Sequence, residues 1–144
     1  MKTRWRAVLA GGLLATGCSR GTEIEDAWVR LPAVPGRPAA AYATIHGGNQ
    51  PAVLTAIASP AARRIELHHS MATDHGAMTM RPIERLPIPS RKTVTLAPGG
   101  LHAMLFDLTG DLRPGGKVML KFRLGSGDEI WVDAKLVGAG DPAP

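Results

Sequence analysis

Between Arg64 and Met104 the chain collects His68, His69, His75 and His102 together with Met71, Met78, Met80 and Met104, four of its five histidines and four of its six methionines. His46, Met1 and Met119 lie outside this stretch. Imidazole nitrogen suits copper, zinc, iron and nickel, whereas thioether sulfur suits chiefly Cu(I). A site that mixes the two argues for copper and against calcium or magnesium, which take oxygen ligands. His102 and Met104 stand at i and i+2. On a strand that spacing puts both side chains on one face, roughly 6.5 to 7 Å apart at the backbone. Met80 and either His68 or His69 would join them from neighbouring strands, completing a shell of two imidazoles and two thioethers.

The spacing reads His69, ten residues, Met80, twenty-one residues, His102-x-Met104. Around it lie AWVR at 27–30, AAYATI at 40–45, IELH at 65–68, MRPIE at 80–84 and LAPGGLHAML at 96–105. In these features the chain after residue 23 resembles the periplasmic PCuAC copper chaperones. The resemblance implies a cupredoxin-like Greek-key β-sandwich or barrel and carriage of Cu(I) in the periplasm. It further implies delivery toward the dinuclear copper centre of cytochrome c oxidase, through one of its subunits or assembly factors. The implied ligands are Met80, His102, Met104 and one histidine of the adjacent pair. Counting residues selects His69; the Glu-Leu-His wording selects His68, with one extra residue in the following turn, where an insertion is cheapest. Strand alternation puts Ile65, Leu67 and His69 on one face and Arg64, Glu66 and His68 on the other.

The remaining candidates carry plainer readings. His46 reads as a surface histidine satisfied by hydrogen bonds. Met78 competes with Met80 for the same face, while His75 and Met71 lie at the presumed turn as auxiliary ligands or simple turn residues. Glu66, Asp74 and Glu84 flank the cluster, where a carboxylate can hold the second ring nitrogen of a ligating histidine; an exposed acid is the commoner role. Trp28, Trp131 and Tyr42 read as core anchors.

The chain opens with a basic end, Lys2, Arg4 and Arg6, followed by the apolar run AVLAGGLLA, too short to span a bilayer. Residues 1–17 therefore read as a signal peptide, and LATGC as a lipoprotein processing site with Cys18 as the lipidated residue. The expected product is a periplasmic protein held to a membrane by its lipid, with residues 18–23 as the anchor and tether. Cys18 is the chain's one cysteine. The domain that follows thus has no disulfide and no thiolate, which excludes zinc fingers, thioredoxin-like donors and blue-copper electron carriers. Removing Lys2, Arg4 and Arg6 leaves fourteen basic against twelve acidic residues, a formal +2. With no basic run carrying interleaved aromatics, nucleic acid is not an expected partner. No serine–histidine–acid arrangement, H-E-x-x-H or phosphate loop is present, so the expectation is a carrier rather than an enzyme. A metal-free interaction module on the same fold is the alternative.

The elements that must position these residues are short. Pro and Gly recur at LPAVPG, HGGNQP, ASPAA, LPIPS, APGG and LRPGG, separating apolar runs of four to eight residues. That punctuation, without a long 3.6-residue periodicity, predicts one antiparallel all-β domain over 24–138 and a frayed tail over 139–144. Strands are expected near 24–31, 40–46, 52–58, 63–70, 77–83, 92–96, 102–108, 117–124 and 129–137. Val118, Leu120, Phe122 and Leu124 should share a core face. The PGG at 98–100 should turn tightly before the His102 strand and leave His102 near solvent.

Overall fold

The structure, a computed structural model, describes residues 20–144. Residues 1–19, on which the expected signal peptide and the lipidated Cys18 fall, lie outside the described residues. Ten strands run in order: β1 (Glu23–Arg30), β2 (Ala39–His46), β3 (Ala52–Ala58), β4 (Ala62–Ala72), β5 (Met78–Ile83), β6 (Leu86–Ile88), β7 (Thr93–Leu96), β8 (Leu101–Leu108), β9 (Lys117–Leu124) and β10 (Glu129–Val137). They form one hydrogen-bonded path, β5-β4-β8-β2-β1-β10-β9-β3-β6, with β7 paired to β2. The β1–β10 pair is parallel and the others antiparallel. Nine of the ten strands fall close to the expected segments. β6 is the addition, a three-residue piece centred on Pro87 and too short to show periodicity.

Side-chain alternation fills the interior. Val118, Leu120, Phe122 and Leu124 are all buried, with Lys117, Met119 and Arg123 outward. Alternation is broken in β1, where Ile24, Ala27 and Val29 join the core, with Leu31 just past the strand. A bulge between Glu25 and Trp28 accounts for it, with Asp26 at φ 50° supplying the left-handed residue. The bulge turns Trp28 to the opposite face, where it stacks on Tyr42 with ring centroids 4.3 Å apart. Both rings are buried, yet they stand outside the main core cluster. Trp131, expected as an anchor, is instead 52% exposed beneath the Lys121 ammonium. Its place opposite Lys121 on the outer side of the β9–β10 hairpin explains this: the core face there belongs to Leu120 and Phe122.

Both ends of the described residues are drawn in closely. The Asn49 N–H donates to the Arg20 carbonyl at 2.9 Å, so the fold takes hold three residues before β1 begins. Gly48 permits this approach, because a Cβ there would stand 2.4 Å from that carbonyl oxygen. Arg30 donates to the carbonyls of Gly138, Ala139 and Asp141. Residues 138–141 are therefore gathered against β1, and the free tail is shorter than composition suggests.

Candidate metal centre

The register of β4 against its two neighbours builds the site. On one side β8 places His102 directly opposite His68 and Met104 opposite Glu66. On the other, β5 places Met80 opposite Ser70. Glu66, His68 and Ser70 alternate onto one face of β4, so Met80, His102 and Met104 belong to that face as well. Cross-strand neighbours of this kind stand about 4.5 to 8 Å apart, within reach of long side chains. His69 pairs with Leu101 and Arg81 and shares the other face with Leu67, a core residue. The two adjacent histidines thus point to opposite sides of the sheet, and His68 is the one that shares a side with His102, Met104 and Met80.

The imidazoles of His68 and His102 lie 5.9 Å apart at their centroids, tilted by 33°. Each is backed on one nitrogen. Nδ1 of His102 lies 2.9 Å from the Gly100 carbonyl, which fixes Nδ1 as the donor and leaves the lone pair on Nε2. Nε2 of His68 lies 3.1 Å from Glu66 Oε2, so Nε2 donates to the carboxylate and the lone pair falls on Nδ1. That Nδ1 is buried and has no hydrogen-bond partner among the described residues. An unsatisfied buried polar atom costs about 1 to 3 kcal/mol. A ligating histidine held by a carboxylate on its other nitrogen has this arrangement.

Glu66 is itself oriented. Its carboxyl is held below the usual range first by the hydrogen bond from His68, then by the hydrogen bond and charge of Arg64, against an opposing desolvation. Arg64 pairs with Glu66 and lies over the Phe106 ring at 4.0 Å. Arg64, Glu66 and His68 are alternate residues of one strand, and that i, i+2 pattern was the available signal. Sequence alone left Glu66 among three flanking acids and gave Arg64 no role.

His102 is 6% exposed, not near solvent as the PGG turn suggested. The turn does form, with Gly99 at φ 81°. It is pinned rather than free: Ala97 N–H donates to the Leu101 carbonyl and Ser70 N–H to the Gly100 carbonyl. The Gly100 carbonyl therefore accepts from both Ser70 and His102, tying the turn to β4 and drawing His102 inward. The His68 side chain is 14% exposed. Met80 is 54% exposed and Met104 half-buried, so the face runs from covered imidazoles to an open thioether edge. Among the described residues no group of three or more His, Cys, Asp or Glu could hold a metal ion. A metal shell on this face requires its methionines.

The other candidates are dispersed, Met78 excepted. His46 is occupied by Thr93 and Glu25 at 3.2 and 3.4 Å. His75 sits in the β4–β5 turn, Met71 shares the face of His69, and Met78 stands opposite Ala72 on the face of Met80.

An all-β, cupredoxin-like domain with imidazoles and thioethers lined up on three adjacent strands defines the class. The chain matches the family described as "Putative lipoprotein LpqE-like" over residues 22–136, and it belongs to that family. The "Putative lipoprotein Lxx21020" of Leifsonia xyli subsp. xyli (strain CTCB07) is 34% identical over 108 residues, 74% of this chain. The match spans 64% of that relative's length. A copper-bound PCuAC domain from PmoF2 has a TM-score of 0.69 at 22% identity, covering 83% of this chain and 95% of its own, a likeness of fold. The Cu(I) form of DR1885 from Deinococcus radiodurans has a TM-score of 0.59 at 28% identity, covering 83% of this chain and 78% of its own.

Proposed function

We propose that this protein is a periplasmic, membrane-anchored lipoprotein that binds Cu(I) through His68 Nδ1, His102 Nε2, Met80 and Met104 and passes it on by ligand exchange. The observation that carries this reading is the unpartnered, buried Nδ1 of His68, opposite His102 and backed through Nε2 by Glu66. Of the two histidines left open by spacing, His68 has the face and the free lone pair for the role. Support for copper as the ion comes from the donor set and from the copper-bound relatives of the fold.

Two neutral imidazoles and two thioethers leave a monovalent ion its full charge, and they are poor donors for Cu(II), which prefers harder tetragonal N/O ligation. Thioethers need no deprotonation, so loading releases no proton from them. Exchange can proceed one ligand at a time from the open methionine edge while the imidazoles stay positioned by Gly100 and Glu66. The acceptor in this reading is a copper-receiving membrane or periplasmic protein, with the copper centre of cytochrome c oxidase or its assembly factors as the recipient.

The test is X-ray absorption of the chain loaded with Cu(I) in reductant and then desalted. Two nitrogen and two sulfur neighbours are expected. Failure to retain copper would leave a metal-free interaction module, and a shell without sulfur would overturn the ligand set. Turnover of a substrate by the loaded protein would replace the carrier reading with a copper enzyme.

A further inference from the structure

On β5 the two methionines alternate along one face, Met78 opposite Ala72 and Met80 opposite Ser70. They are 58% and 54% exposed, among the most exposed large apolar side chains described. β5 is the terminal strand of the hydrogen-bonded path. Edge strands are ordinarily guarded by charge, proline or shortness. Here Pro82 occupies the upper part of this face and methionine the rest, so apolar surface is spent where water is the neighbour. Core filling does not explain Met78, because nothing among the described residues packs it away.

The turn before it is built firmly. Thr73 N–H donates to the Ala77 carbonyl at 2.7 Å, Ala77 N–H to Thr73 Oγ1 at 3.1 Å, and Gly76 N–H to the Thr73 carbonyl at 2.9 Å. Gly76 takes φ 76°, a conformation that a side chain would strain. Met78 is thereby fixed in register from its first residue on β5. Its backbone lies roughly 6.5 to 7 Å beyond that of Met80 along the strand, a gap that two flexible thioether chains can close.

We infer that Met78 is a transit ligand, a second thioether at the outer edge that holds Cu(I) briefly as it enters or leaves the proposed site. The inference rests on the copper-carrier reading and extends it by one residue. In the step, a Cu–S bond to Met78 forms as one bond of the resting shell breaks. Copper stays monovalent throughout, a neutral donor replaces a neutral donor, and no proton or electron moves. Because Met78 stands outside the resting shell, it speeds loading and release equally and leaves the equilibrium unchanged.

Transfer of Cu(I) from the loaded full chain to bathocuproine disulfonate, followed by stopped-flow absorbance in reductant, tests this. Met78→Ala and Met78→Leu should keep the wild-type affinity while slowing transfer about fivefold, equivalent to about 1 kcal/mol at the barrier. Loading from a Cu(I) donor complex should slow by the same factor. Met80→Ala serves as the contrast, losing affinity itself. Wild-type transfer rates in both Met78 variants would overturn the inference, as would a loss of affinity matching that of Met80→Ala. Should the wild-type chain hold no Cu(I) at all, the carrier reading falls and this inference with it, a result that the Met78 variants alone cannot mimic.

Discussion

His68 and His69 are chemically identical and adjacent, and the pleat alone separates them. His68 faces His102 across β4 and β8, while His69 shares the face of Leu67. His68→Ala should therefore weaken Cu(I) binding by at least about tenfold, some 1.4 kcal/mol, in a chelator competition. His69→Ala should leave the affinity close to wild type, and the reverse pattern would mean that β4 pairs with β8 in a register shifted by one residue. In the proposed site Glu66 would reach copper only through His68, whose Nε2 it holds. In the apo protein, nitrogen-15 NMR should find His68 protonated on Nε2 and His102 on Nδ1, as the Glu66 and Gly100 contacts require. Glu66→Gln should mix the His68 tautomers while leaving His102 unchanged. An unaltered His68 spectrum would remove Glu66 from its positioning role.

At the scale of the strand, β8 serves two masters. Ala103 and Leu105 point into the core, and His102 and Met104 point to the candidate site. Leu105 is 1% exposed and pairs with Ala39 and Ile65. Leu105→Ala should cost about 2 to 5 kcal/mol in urea unfolding. Measured well below the unfolding transition, its copper affinity should stay near wild type, since no donor is removed and the site face is untouched. A large loss of affinity with intact folding would mean that core packing, rather than register, aligns the donors.

For the whole molecule, little chain separates the domain from Cys18. Arg20 is already hydrogen-bonded to Asn49, and only Ser19 separates it from Cys18. Two residues of extended chain reach roughly 7 Å. A lipid on Cys18 would therefore keep the domain against the membrane surface, not on a long tether. Cys18→Ser should move the protein from the membrane to the soluble fraction with its Cu(I) affinity intact. A variant still found with membranes would discard the lipid anchor.

Much of this was already written in the order of residues. Proline and glycine spacing marked nine strands, and the run Val118, Leu120, Phe122 and Leu124 declared a core face, because alternation is a local property of extended chain. The His-x-Met of β8 was legible for the same reason. What one dimension could not carry was the pairing between strands distant in sequence. The bulge at Asp26 sent Trp28 away from the core cluster. The pinning of Gly100 by Ser70 buried His102 beside a turn that looked open. Local sequence set which side chains alternate; only the cross-strand register decided which of them meet, because that register follows from how the whole sheet closes over its core.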